Sequence, residues 1–90
     1  MKGFGDNNKS KIKLNEKIQS NLNKEEILNK AFQFHSRGNI AEASKYYQFF
    51  INQGFKDHRV FSNYGVILKN LGNLQEAELS YSKAIELNPN

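Results

Sequence analysis

The sequence repeats itself at a spacing of 34 residues, and this repeat constrains the fold more than any other feature. Within the segment 38–51, six residues recur unchanged in the segment 72–85. A helix–turn–helix unit with this period cannot bury its apolar side alone, so neighbouring units stack to form a shared core. The recurring residues are Gly38, Asn39, Glu42, Ala43, Tyr47 and Ile51, which correspond to Gly72, Asn73, Glu76, Ala77, Tyr81 and Ile85.

Local signals place four helices within these two units. Each apolar-periodic segment follows an Asn or Asp that can cap a helix, and each ends at a glycine or proline. The sequence therefore predicts an all-α chain of two antiparallel helix–turn–helix units, at residues 23–56 and 57–90. The predicted caps are Asn23, Asn39, Asp57 and Asn73, and the predicted stops are Gly38, Gly54, Gly72 and Pro89.

Residues 24–89 resemble two tandem repeats of the tetratricopeptide (TPR) family. The resemblance implies an α-solenoid with right-handed superhelical stacking, and it is compatible with the N-terminal part of a longer array. The first unit departs from the TPR pattern at two positions: Phe50 stands where alanine is usual, and Phe55 stands in place of proline. These departures suggest a wider or bent junction between the units. The second unit carries the pattern at Phe61, Tyr64, Gly65, Leu68, Gly72, Ala77, Tyr81, Ala84 and Pro89, and the first at Ile27, Ala31, Phe34, Ala43 and Tyr47.

Residues 1–22 form a polar, basic leader that we expect to be partly disordered. They hold five lysines and two acidic residues, whereas residues 23–90 hold eight basic and seven acidic ones. Leu14, Ile18 and Leu22 would stripe one side of a short helix that docks on the following units. Most of the net charge of +4 therefore lies in the leader, whereas residues 23–90 are nearly neutral. For this reason we do not expect nucleic acid to be the partner.

The composition gives no support for catalysis or for a cofactor. The chain has no cysteine, and its two histidines, His35 and His58, have no acidic cluster at metal-ligand spacing. No glycine-rich phosphate-binding motif is present. No apolar run approaches the length of a membrane span or of a secretory signal, so we expect a cytoplasmic, non-enzymatic protein.

The resemblance implies a partner-binding groove lined by the first helix of each unit. TPR arrays hold an extended peptide or a partner helix on this concave side. The first unit has Glu25 beside the other candidates, and its apolar pair Leu28 and Phe32 either packs against the leader or anchors a partner. The predicted groove residues are Leu28, Asn29, Phe32, His35, Arg59, Ser62, Asn63, Val66, Lys69 and Asn70.

Asn29 and Asn63 occupy the same position of the two units. An asparagine amide offers a donor and an acceptor side by side, which match the backbone amide of a bound strand. Such a ladder resembles the TPR superhelices of O-linked N-acetylglucosamine transferases, although a solvated or packing role is the alternative. Some TPR domains bind the terminal carboxylate of a partner through a lysine and an asparagine on their first helix. This sequence has Leu28 and Phe32 at those positions, so we do not expect it to bind a terminal carboxylate in this way.

We therefore predict a non-catalytic protein–protein interaction module that binds a protein or peptide. One alternative is the substrate-recognition arm of a larger glycosyl-, sulfo- or methyltransferase. A weaker alternative is nucleic-acid binding through the lysine-rich leader. The last helix is expected to expose apolar surface that favours self-association.

Overall fold

The structure, a computed structural model, describes residues 22–90, and the prediction of a docked leader helix falls largely outside them. Its four helices are α1 (Lys24–Ser36), α2 (Ile40–Asn52), α3 (His58–Asn70) and α4 (Leu74–Leu87). Consecutive helices α1 and α2, and likewise α3 and α4, pack together as hairpins. The described residues contain no strand, so the predicted all-α class is confirmed.

Side-chain caps fix the beginnings of three helices. Asn23 forms a complete capping box, because its Oδ1 accepts from the Glu26 backbone N–H at 2.9 Å while Glu26 Oε1 accepts from the Asn23 N–H at 3.1 Å. Asn39 caps α2 and Asp57 caps α3. Asn73 lies at the N-cap position of α4, as predicted, but its side chain makes no cap hydrogen bond.

The two hairpin turns share one glycine conformation. Gly38 and Gly72 have φ values of +79° and +85°, in the left-handed region that disfavours residues with a Cβ. After α1, the Asn39 N–H donates to the Phe34 carbonyl at 2.8 Å, and the equivalent Asn73 N–H donates to Leu68 at 2.9 Å. Both turns therefore close their helices with the same backbone hydrogen bond, as the 34-residue period predicts.

The core lies in the first hairpin and at its contact with α3. Seven residues of α1 and α2 share a buried cluster with two residues of α3. At the junction of the hairpins, the Phe50 and Phe55 ring centroids are 5.3 Å apart, and Phe50 is fully buried. Two aromatic rings thus pack against each other at the junction of the hairpins. The cluster contains Ile27, Leu28, Ala31, Ala43, Tyr47, Phe49, Phe50, Val60 and Ile67.

Small residues let the two helices of the second hairpin approach closely. A Cβ added at Gly65 would lie 2.8 Å from the Tyr81 ring, which real contacts do not allow. Ala77 and Ala84 are buried on the same side of α4. The Ser80 hydroxyl donates to the Phe61 carbonyl at 2.6 Å across this interface. The close contact explains why glycine stands at residue 65.

Candidate functional site

Two adjoining cavities lie where α1 runs beside α3, and together we call them the groove. Their volumes are about 410 and 310 Å³, within the size range of ligand-binding clefts. Phe32 and Asn63 line both, which makes the groove continuous. The larger cavity is lined by Phe32, His58, Arg59, Ser62 and Asn63, and the smaller by Phe32, His35, Ser36, Tyr47 and Asn63.

A hydrogen-bonded cluster from three helices forms the inner wall of the groove. The Tyr47 hydroxyl on α2 lies 2.8 Å from His35 Nδ1 on α1 and accepts from Asn63 Nδ2 on α3 at 3.2 Å. Burial raises the pKa of Tyr47, and the Asn63 hydrogen bond only partly opposes this. The phenol therefore stays neutral at physiological pH and ties α3 to the first hairpin.

Arg59 is held in place at the other end of the groove. Its Nε and Nη2 donate to the two carboxylate oxygens of Asp57 at 3.0 and 2.8 Å. Its guanidinium carbon lies 5.2 Å from the Phe32 ring centroid, in cation–π geometry. The hydrogen bonds from Arg59 lower the pKa of Asp57, so the carboxylate is ionised and partly neutralises the guanidinium. The groove therefore presents an oriented, charge-balanced arginine beside an aromatic ring.

The structure brings five of the predicted groove residues together, namely Phe32, His35, Arg59, Ser62 and Asn63. Leu28 is instead only 2% exposed and lies in the buried cluster with Val60. The remaining predicted residues are exposed but line neither cavity of the groove. These are Asn29, Val66, Lys69 and Asn70, and Glu25 is likewise exposed.

Three residues of the groove were not predicted from the sequence. The sequence places Tyr47 among the recurring positions of the repeat, and in the structure its ring is buried while the residue lines the smaller cavity. Ser36 and His58 stand at the end of α1 and the start of α3. His58 Nε2 also lies 3.2 Å from Asn88 Nδ2, which joins the start of α3 to the residue after α4.

Two stacked helical hairpins with a groove along their first helices define a helical-repeat protein. The model of the tetratricopeptide repeat family matches residues 58–90. The matched residues contain α3 and α4, and the four-helix arrangement is consistent with a second such repeat in α1 and α2. No curated protein and no solved structure matches the chain.

Tetratricopeptide repeats are typically scaffolds for protein–protein interaction rather than catalysts. Among residues 22–90, none of the helices combines the length and the hydropathy that crossing a membrane requires. The same residues hold no group of three histidine or acidic side chains arranged to bind a metal ion.

Proposed function

We propose that the protein is a non-catalytic interaction module that binds an extended peptide or a partner helix in the groove. The observation that carries this proposal is the Tyr47–Asn63 hydrogen bond, which orients an amide on the wall shared by both cavities. The partner is a protein or peptide, and no cofactor takes part. The cytoplasmic location stays a prediction.

The amide of Asn63 suits the main chain of a peptide. One of its N–H groups is engaged by the Tyr47 hydroxyl, which leaves the other N–H and the carbonyl oxygen for a ligand. A peptide backbone offers a carbonyl and an N–H at matching separation, so it can satisfy both groups at once. Asn29 is exposed and lines neither cavity, so our proposal places the main contact at Asn63 and a lesser one at Asn29.

The opposite wall suits an apolar or aromatic side chain of the ligand. Phe32 is half-buried and lines both cavities, with Arg59 stacked over its ring. Flat aromatic and guanidinium surfaces contribute large contact areas and lose little side-chain entropy when they are already held in place. Because Asp57 neutralises much of the Arg59 charge, we do not expect a strongly acidic partner.

The test is selection of binding peptides from a random 12-residue display library against the full chain. We expect Ser62→Trp, which fills the larger cavity, to abolish binding of the selected peptides. Ser82→Trp is the matched control, because it places the same side chain on an exposed site of α4 and should leave binding unchanged. Circular dichroism establishes that both variants are folded.

A second comparison tests the role of the asparagine. The double variant Asn29→Ala, Asn63→Ala is expected to weaken binding of the selected peptides by about tenfold, the effect of one or two lost hydrogen bonds. Unchanged affinity would show that the amides do not contact the peptide. Peptides that bind the Ser62→Trp variant as tightly as the natural protein would refute the groove as the binding site.

The two alternatives from the sequence are not proposed. Recognition of a substrate for a larger transferase depends on residues beyond those of this chain. Nucleic-acid binding depends on the lysine-rich leader, which lies almost entirely outside the described residues. Both remain predictions.

A further inference from the structure

The hydrogen bonds that join His35, Tyr47 and Asn63, which we call the relay, run in a defined direction. The Tyr47 oxygen lies 3.2 Å from Asn63 Nδ2 and 2.8 Å from His35 Nδ1. An amide nitrogen only donates, so the phenol oxygen accepts from Asn63 and its own hydrogen points to His35 Nδ1. A neutral histidine accepts at Nδ1 only when its ring hydrogen is on Nε2. With His35 neutral, Asn63 therefore donates to Tyr47, and Tyr47 donates to His35.

Protonation of His35 is incompatible with this direction. An imidazolium carries hydrogen on both ring nitrogens, so Nδ1 becomes a donor to the phenol oxygen. The phenol hydrogen then has no acceptor in the relay, which is unfavourable because Tyr47 is fully buried. A half-turn of the Asn63 amide restores an acceptor, because it exchanges Nδ2 for an oxygen of nearly the same size. His35 then donates to Tyr47, and Tyr47 donates to Asn63 Oδ1.

The surroundings of His35 allow the ring to gain a proton. Its side chain is half-buried and lines the smaller cavity, so solvent reaches it. It also lies in the last turn of α1, where the helix dipole favours a positive charge. Tyr47 faces the ring edge-on from α2, with centroids 5.6 Å apart, and α3 presents the uncharged Asn63. The other charged or titratable side chains near the groove do not line the smaller cavity, and these are Arg37, Asp57, His58 and Arg59.

We propose that the relay is a pH switch, in which protonation of His35 turns over the Asn63 amide and weakens peptide binding in the groove. The effect on binding rests on the proposed function. With His35 neutral, Asn63 presents one N–H and its carbonyl oxygen, which pair with the carbonyl and N–H of a peptide backbone. With His35 protonated, Asn63 presents two N–H groups, and the N–H of the peptide loses its acceptor. Histidine side chains gain their proton between about pH 8 and pH 5, so mild acidification should weaken binding.

The test compares peptide affinities of the full chain at pH 7.5 and pH 5.5, for peptides selected at pH 7.5. The peptides have blocked ends and contain no aspartate, glutamate or histidine, so their own charge stays constant over this range. We expect the dissociation constant to rise about threefold to tenfold at the lower pH, the effect of one lost hydrogen bond. Circular dichroism establishes that the protein is folded at both pH values.

Three variants assign the effect to the relay. His35→Gln cannot gain a proton and should bind with the same affinity at both pH values. His58→Gln is the matched control, because it removes the other histidine of the chain, which lines the larger cavity, and should retain the pH dependence. Tyr47→Phe keeps His35 but removes the middle member of the relay. This variant should lose the pH dependence, whereas a direct effect of the His35 charge on the peptide would persist in it.

A readout without peptide separates this proposal from the proposed function. Long-range proton–nitrogen correlation spectra distinguish the two histidine tautomers, and we expect His35 to carry its ring hydrogen on Nε2 at pH 7.5. The side-chain amide signals of Asn63 should shift at pH 5.5 in the natural chain but not in Tyr47→Phe. If no peptide binds at either pH, the proposed function fails, and these signals alone decide whether the relay reverses.

Any of three results would overturn the proposal. The first is a His35 ring with its hydrogen on Nδ1 at pH 7.5. The second is an equal shift of the Asn63 amide signals in Tyr47→Phe and in the natural chain. The third is a ratio of affinities at the two pH values that is the same in His35→Gln or Tyr47→Phe as in the natural chain.

Discussion

Replacement of Tyr47 by phenylalanine isolates the hydrogen-bonded cluster on the groove wall. The ring is fully buried, and its packing is retained in Tyr47→Phe, so the substitution removes only the hydroxyl. That hydroxyl lies 2.8 Å from His35 Nδ1 and 3.2 Å from Asn63 Nδ2. The variant therefore tests whether one buried phenol holds three helices together.

The expected loss follows from the two contacts. A hydrogen bond inside a protein contributes about 0.5–1.5 kcal/mol net, and both partners here are half-buried, so water can replace part of the interaction. We expect the free energy of unfolding to fall by about 1–2 kcal/mol. For a chain of this size, that corresponds to a decrease in melting temperature of roughly 5–12 °C.

The measurement is urea unfolding of the natural chain, Tyr47→Phe, Asn63→Ala and the double variant. A coupling energy of about 0.5–1.5 kcal/mol between the two positions would be the direct signature of their hydrogen bond. Tyr46→Phe is the control, because Tyr46 lies on the same helix, stacked on Phe34 at 5.5 Å, and is not part of the cluster. Our reasoning is refuted if Tyr47→Phe costs no more than this control, or if the two variants are additive.

Three further predictions concern stability. Phe50→Ala should cost about 3–5 kcal/mol because the fully buried ring leaves a cavity, and the helical signal at 25 °C would then be largely lost. Asn23→Ala should cost about 1 kcal/mol in urea unfolding, and Asn73→Ala clearly less, because only Asn23 makes a side-chain cap bond. The pKa of Asp57 is lowered in the folded state by Arg59, so its stabilisation is complete above about pH 5 and is lost on acidification below about pH 4. Melting temperatures from pH 6 to pH 3 should therefore converge for the natural chain and Asp57→Asn, and a constant difference would contradict this.

The sequence was sufficient to predict the helices, since local signals determine them. Asn23, Asn39 and Asp57 cap their helices as expected, and the glycine after α1 ends it with positive φ. Gly65 is part of the predicted repeat pattern, and the structure gives the reason, since the Tyr81 ring leaves no space for a Cβ there. The superhelical hand and the division into units at 23–56 and 57–90 stay predictions.

The groove was harder to predict because its members come from separate helices. Leu28 and Ser62 occupy the same position of the two units, but only Leu28 is buried. The reason is that α3 packs against the first unit, whereas no described helix follows the second. A pattern within one helix does not reveal which of its sides a neighbour covers. The His35–Tyr47–Asn63 cluster likewise depends on side chains up to 28 positions apart in sequence meeting in space.

The unequal sizes of the buried side chains imply an order of opening along the chain. Tyr47, Phe49 and Phe50 anchor α2, whereas α4 is held by Ala77, Ser80 and Ala84. Because the buried side chains of α4 are smaller, we expect α4 to have the lower free energy of local unfolding. The amide hydrogens of α4 should therefore exchange with deuterium sooner than those of α2. A pulling force applied at the C-terminus should likewise detach α4 before the first hairpin unfolds.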